Sequence, residues 1–254
     1  ATALTMQYGK GNGFRNLIRK EANNTKKVTR LVALGAEKNL NGTYRNGSRR
    51  LMLPSNYYLD SANIDVNNPL EETVTWDDIY PTLQHATADY SASKAYVVGD
   101  QVLYDGKSWD CIQDATGVTP SAGAYWKLSE GTITGLVSRL KFIDENITFN
   151  PLDQQYRMTD GTMPKVHFET GNMAGYEFPI TGYDTLTKTI TIGEIQDGVD
   201  NTFPAVDYGF SKYDRFNFVD LYMPQTYITK AEQRLLAKAT EYLNKFSIDQ
   251  VTYS

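Results

Sequence analysis

Two residues constrain this chain more than any others: Asp105 and Gly106, which sit between two short β-prone runs at 101–104 and 107–112. A two-residue hairpin loop needs positive φ at both central positions, and Asp-Gly accepts that geometry readily. The two-residue period of a strand then puts Val102 and Tyr104 on one face, and Trp109 and Cys111 on one face of the partner strand. Further aromatics flank the pair: Tyr90 and Tyr96 before it, Tyr125 and Trp126 after it. Residues 88–130 therefore read as a β-module with a Tyr and Trp core. At about 40 residues it is near the lower limit for a domain without disulfides, so aromatic burial must supply much of its stability. A module with its own core has to sit at a surface loop of the chain it interrupts. The expected organisation is a frame domain begun by residues 1–87, an insertion at 88–130, and the frame continued through 131–254.

The frame is expected to be mainly β (an α+β chain with one helix). Tyrosine is abundant, with 18 residues among many Asn, Thr and Gly, a composition that suits extended strands joined by turns. Strands are expected at 28–34, 72–76, 132–142, 165–168, 176–180, 187–192 and 216–222, with a short run at 49–54 stopped by Pro54. Polar turns are expected at 39–47 and 63–69. One amphipathic helix lies toward the C-terminal end, where Thr229 followed by Glu232 has the spacing of a capping box. Leu235, Leu236, Ala239, Tyr242, Leu243 and Phe246 then share a helical face.

Charge and rare residues narrow the chemistry. A net charge of -5 argues against a nucleic-acid partner, because phosphate binding is driven by Lys and Arg. No apolar run approaches the roughly 20 residues needed to span a bilayer, so no membrane role is expected. The start lacks a signal-peptide layout and an initiator methionine, which suggests a piece excised from a longer polypeptide. The single cysteine, Cys111, excludes an intrachain disulfide and reads as a small buried hydrophobe. His85 and His167 are far apart and lack neighbours at metal spacing, so no metal, cofactor or catalytic residue is assigned. Gly9, Gly11 and Gly13 lack the rest of a nucleotide loop and read as a turn. Asp77 and Asp78, adjacent in sequence, read as a turn anchor instead of a glycosidase carboxylate pair. Arg45, Arg49 and Arg50 read as a solvated loop or interchain contact.

Taken together, several frame segments resemble successive motifs of bacteriophage tail hub proteins, including the prophage tail endopeptidase and tail-associated lysin group. They are the glycines at 9–13 with Arg15, the run at 27–35, Tyr44-Arg45 with Arg50 to Pro54, Trp76 to Pro81, residues 168–178, and residues 222–228 with Ala231-Glu232. The resemblance covers most of 5–87 and 131–246. It implies a β-rich, non-enzymatic unit of a tail tip or baseplate, made in the bacterial cytoplasm and carried in the virion. Its partners would be further copies of itself and other tail proteins, and any catalytic domain would lie elsewhere in the parent polypeptide.

The inserted segment is similar to a different family, the chitin-binding modules of bacterial chitinases, through Tyr90, Tyr96, Gly99, Asp100, Val102, Tyr104, Gly106, Trp109, Cys111, Pro120 and Trp126. Such modules stack exposed aromatic rings on pyranose faces. The stretch 113–119, where chitinase modules commonly place those rings, has no aromatic here. Tyr90, Trp109 and Tyr125 are then the candidate carbohydrate-binding residues, each also a candidate for the core, which is the commoner role. The expected function is a structural tail component whose surface module contacts cell-surface polysaccharide. The alternative is an accessory region of a glycan or peptidoglycan hydrolase with its catalytic domain elsewhere.

Overall fold

A computed structural model describes residues 19–21, 26–198, 201–248 and 251–253; the glycine turn at 9–13 lies outside them. The described chain is mainly β, with several sheets and a single α-helix, Gln225–Phe246. It divides into two compact units, one formed by 1–35, 52–76 and 233–254 and the other by 36–51 and 77–232.

The first unit holds a three-stranded sheet in which Arg30–Gly35 lies between Leu59–Asp60 and Glu71–Trp76, antiparallel to the former and parallel to the latter. Leu31 and Ala33 are buried on one face, as the two-residue period requires. Arg30 stands opposite Asp60 and meets it through a two-pronged contact, Nε to Oδ1 at 2.6 Å and Nη2 to Oδ2 at 2.9 Å. The strand starts at Arg30 and not at Val28 because the backbone N–H groups of Thr29 and Arg30 both turn to the Leu70 carbonyl. In the same unit the helix buries Leu235, Ala239 and Leu243, and the Tyr242 hydroxyl donates to Glu72 Oε2 at 2.9 Å. This is the apolar face expected from the sequence.

The second unit is built on a six-stranded antiparallel sheet in the order Gly135–Ser138, Lys141–Ile143, Thr189–Ile192, Glu177–Asp184, Lys165–Phe168, Phe216–Val219. Its inward face is almost entirely aromatic and branched: Phe142, Val166, Phe168, Phe178, Ile180, Ile190, Phe216 and Phe218 are fully buried. Phe142 meets Phe216 edge-on at 5.1 Å between centroids, and Phe168 stacks on Phe210 at 5.6 Å, both favoured aromatic arrangements.

Several expectations are corrected here. Residues 132–142 are not one strand but the start of a hairpin that turns at Arg139 and Leu140, with a register shift between Leu136 and Ser138. That turn contains no Gly, Pro, Asn or Asp, so nothing in local composition announces it. The strand expected at 216–222 ends at Val219, because Asp220 has φ 61° and leaves the extended region before Pro224 is reached. The polar turn at 39–47 includes a short 3-10 turn, Tyr44–Asn46, and its first residue is buried. Asn39 Nδ2 donates to the Pro81 and Phe218 carbonyls, each at 2.9 Å, so an amide expected in water instead ties two backbone segments together. Thr229 and Glu232 form no capping box. The helix begins a turn earlier, directly after Pro224, whose carbonyl accepts from Tyr227 N at 2.9 Å. A proline is well suited to a helix start, since its missing N–H would have no partner there. Glu232 is buried and accepts from the Tyr44 hydroxyl at 2.8 Å and Arg45 Nη2 at 3.1 Å. Arg50, the other arginine of that loop to find an acidic partner, meets Asp77 at 2.8 Å.

Candidate functional site

Within the second unit, Gln101–Tyr104, Lys107–Cys111 and Trp126–Leu128 form a three-stranded antiparallel sheet, and Ala95–Tyr96 pairs with Ala115–Thr116. The hairpin has the expected turn: Asp105 at φ 51° and Gly106 at φ 70° place Tyr104 opposite Lys107 and Val102 opposite Trp109. Lys107 Nζ lies 2.8 Å from Asp105 Oδ2 across the turn and holds that carboxyl below its ordinary range.

The core consists of Tyr96, Val102, Trp109, Cys111, Ala115 and Trp126, with Tyr90, Val118, Tyr125 and Leu128 packed around it. The polar atoms of its three buried aromatics are satisfied internally. Trp126 Nε1 donates to the Val118 carbonyl at 2.9 Å, Trp109 Nε1 to the Tyr104 carbonyl at 3.2 Å, and the Tyr96 hydroxyl accepts from Ser91 N at 2.7 Å. Burial pushes the Cys111 thiol up, away from the reactive thiolate.

The three candidate sugar-binding residues have separate places. Trp109 is buried, with its indole N–H already used. Tyr125 is half-buried against the core. Tyr90 is also half-buried, stacked on Tyr96 at 5.7 Å and edge-on to Trp126 at 6.2 Å. The aromatic that reaches solvent is Tyr104, 39 % exposed, standing edge-on to Tyr90 at 5.6 Å. Sequence reasoning missed it because it shares a strand face with Val102. The available signal was its position directly before the turn, at the margin of that face.

Both ends of the module are fastened to the surrounding unit. At the start, Ala86 N donates to Ser108 Oγ at 2.8 Å, and Gln101 Nε2 bridges the Gln84 carbonyl at 3.1 Å and Asp110 Oδ1 at 2.8 Å. At the end, Gly131 takes φ +82°, and a Cβ there would meet His85 Nε2 at 2.8 Å and Leu83 Cδ1 at 2.9 Å, so only glycine fits. The His85 ring bridges Glu169 Oε2 at 2.7 Å and the Glu130 carbonyl at 3.0 Å, while Asn217 Nδ2 donates to the other Glu169 oxygen. Burial pushes the Glu169 carboxyl up, but His85 foremost, then Asn217 and Arg215, outweigh it and hold the group below its usual range. Asp144 is fully buried and accepts from Gly131 N at 2.6 Å and Asn146 N at 2.9 Å, and burial raises its carboxyl to about 7. The Tyr227 hydroxyl donates to Glu130 Oε2 at 2.7 Å and is pushed up by burial and by that carboxylate. These groups satisfy one another and hold the module's last residue in place. Among the described residues no cluster of three or more His, Cys, Asp or Glu could hold a metal ion.

Residues 89–130 match the family model for carbohydrate-binding module family 5/12. Comparison of the chain with curated proteins and with solved structures found no match. The aromatic hairpin and its fastened ends are thus the setting of a recognised module type, and this mainly β chain carries a carbohydrate-binding module.

Proposed function

We propose that the chain binds carbohydrate through this module, and that its β-rich remainder is a non-catalytic frame from the tip or baseplate of a bacteriophage or prophage tail. The observation that carries the carbohydrate half is the family match at 89–130, supported by an ordered module core and by a surface-reaching aromatic beside it. The tail half rests on the frame motifs, Trp76 to Pro81 and residues 168–178 among them, that resemble tail hub proteins. In this reading the frame assembles with further copies and other tail proteins in the virion. The module faces outward and meets polysaccharide on the bacterial surface.

Two measurements on the whole chain test the two halves separately. Retention on chitin, cellulose or peptidoglycan is expected, and failure to be held by any of them overturns the carbohydrate half. Mass measurement in solution is expected to give a ring-sized oligomer. A stable monomer that still binds glycan would instead favour an accessory region of a glycan or peptidoglycan hydrolase.

A further inference from the structure

We infer that the sugar subsite is the cleft beside the hairpin turn, that it takes a neutral pyranose unit, and that Arg215, from outside the module, completes it. This rests on the carbohydrate-binding reading above and assigns that reading a place. The cleft encloses about 340 Å³ and is lined by Asp89, Tyr90, Tyr104, Asp105, Gly106 and Arg215 among others. That volume is at the small end of ligand sites, roughly 300–1,000 Å³, and suits one or two sugar rings instead of a long chain lying across a flat face.

Four features point to a polyhydroxylated ligand. Tyr104 offers an exposed ring, and its edge-on contact with Tyr90 holds the ring plane, so an apolar pyranose face has a fixed surface to cover. Asp89 and Asp105 supply carboxylate oxygens that accept from sugar hydroxyls. Arg215 supplies donors. Its backbone is held, with N donating to Thr170 Oγ1 at 2.8 Å and its carbonyl accepting from Glu169 N at 2.8 Å. Its positive charge helps hold the Glu169 carboxyl low, and its buried Nε has no hydrogen-bond partner among the described residues. Finally, two buried polar atoms that lack partners, Arg215 Nε and Tyr90 Oη, belong to residues lining this same cleft, and such atoms call for an explanation.

Charge decides the ligand class. Asp105 is paired with Lys107, which itself lies 4.5 Å from the centre of the Tyr213 ring, and Asp89 and Arg215 both line the cleft. Counting Lys107 with the lining residues, Asp89 and Asp105 are matched by Lys107 and Arg215, so the cleft offers acceptors and donors for hydroxyls and no surplus of cations to select an acidic ligand. The stretch 113–119 lacks aromatics, so a flat stacking face there is not available to compete.

The test uses the full chain and affinity measurements on insoluble chitin, amorphous cellulose, peptidoglycan and the acidic polysaccharide alginate. Wild type and Val98→Ala, an exposed module residue away from the cleft, are expected to bind at least one neutral polymer alike. Tyr104→Ala and Arg215→Gln are expected to bind it at least tenfold more weakly, with unchanged melting temperature. Arg215→Lys, which keeps the charge and loses the fork, should fall between wild type and Arg215→Gln, and it replaces the glutamine variant if that fails to fold. Equal binding by wild type and both cleft variants would overturn the subsite and leave the proposed function standing. Preference for alginate would overturn the neutral-ligand assignment, and no binding by wild type to any polymer would overturn the proposal together with the reading it rests on.

Discussion

The Asp144 carboxylate accepts the backbone N–H of Gly131 at 2.6 Å, so a fully buried acid of the frame holds the first residue after the carbohydrate-binding module. The pair links the frame's ionisation to the geometry of the module's end. Asp144 binds a proton more tightly in the folded chain than in the unfolded one, because burial raises its carboxyl from 3.8 to about 7. Its stabilising contribution is therefore complete below about pH 4 and is lost as pH rises through about 7. Urea melts are expected to show stability falling between about pH 4 and about pH 7, and Asp144→Asn should flatten that fall while costing about 1–3 kcal/mol at the acid end from an imperfectly replaced acceptor. An unchanged pH slope in the variant would refute the assignment. Glu169, held low, acts on the acid side instead: its contribution is present above its unfolded value of about 4.5 and disappears as pH falls through its lower folded value.

Gly131 itself should not tolerate a side chain. Its φ of +82° and the contacts a Cβ would make with the Phe216 carbonyl, His85 and Leu83 act together. Gly131→Ala is expected to destabilise the second unit by roughly 2 kcal/mol or more. A denaturation midpoint equal to wild type would show that the backbone shifts freely there.

The module and the sheet bury separate sets of side chains, one around Trp126 and the other around Phe142, Phe168 and Phe216. Trp126→Ala should therefore unfasten the module selectively, at about 3–5 kcal/mol of local stability. Hydrogen exchange is expected to accelerate across 101–111 and 126–128 while Lys165–Phe168 and Phe216–Val219 stay protected. Loss of protection in both places would mean that the two cores fold as one.

Asn39 offers a graded test of buried amide bonding. Its Nδ2 serves two carbonyls at once, so Asn39→Ala leaves both without that donor and should cost about 2–3 kcal/mol. Asn39→Asp should be worse, because it brings acceptors toward the same carbonyls. Thermal melting that ranks Asp above Ala would contradict the arrangement.

Much of this architecture was legible from local rules. Asp105-Gly106 specified its hairpin because both residues accept positive φ, and alternation then placed Val102 opposite Trp109. The helical spacing of Leu235, Ala239 and Leu243 identified a buried face for the same reason, that period follows from backbone geometry. Where expectation failed, the deciding contact came from far along the chain. Glu232 lay at capping distance from Thr229 but is taken by Tyr44, 188 residues away, and Pro224 starts the helix instead. Asn39 looked like a turn residue until the carbonyl of Phe218 reached it.

By itself, then, the sequence determined the β character of the chain, the hairpin, the aromatic composition of the module and the apolar helix face, since each depends on neighbours within a few residues. Tertiary structure alone decided that Trp109 is enclosed while Tyr104 reaches solvent, that Arg215 stands beside a turn more than a hundred residues earlier, and that His85, Glu169 and Asp144 close around the module's end. Those placements depend on which distant strands pair and which polar atoms are left to satisfy one another, and no local periodicity encodes them.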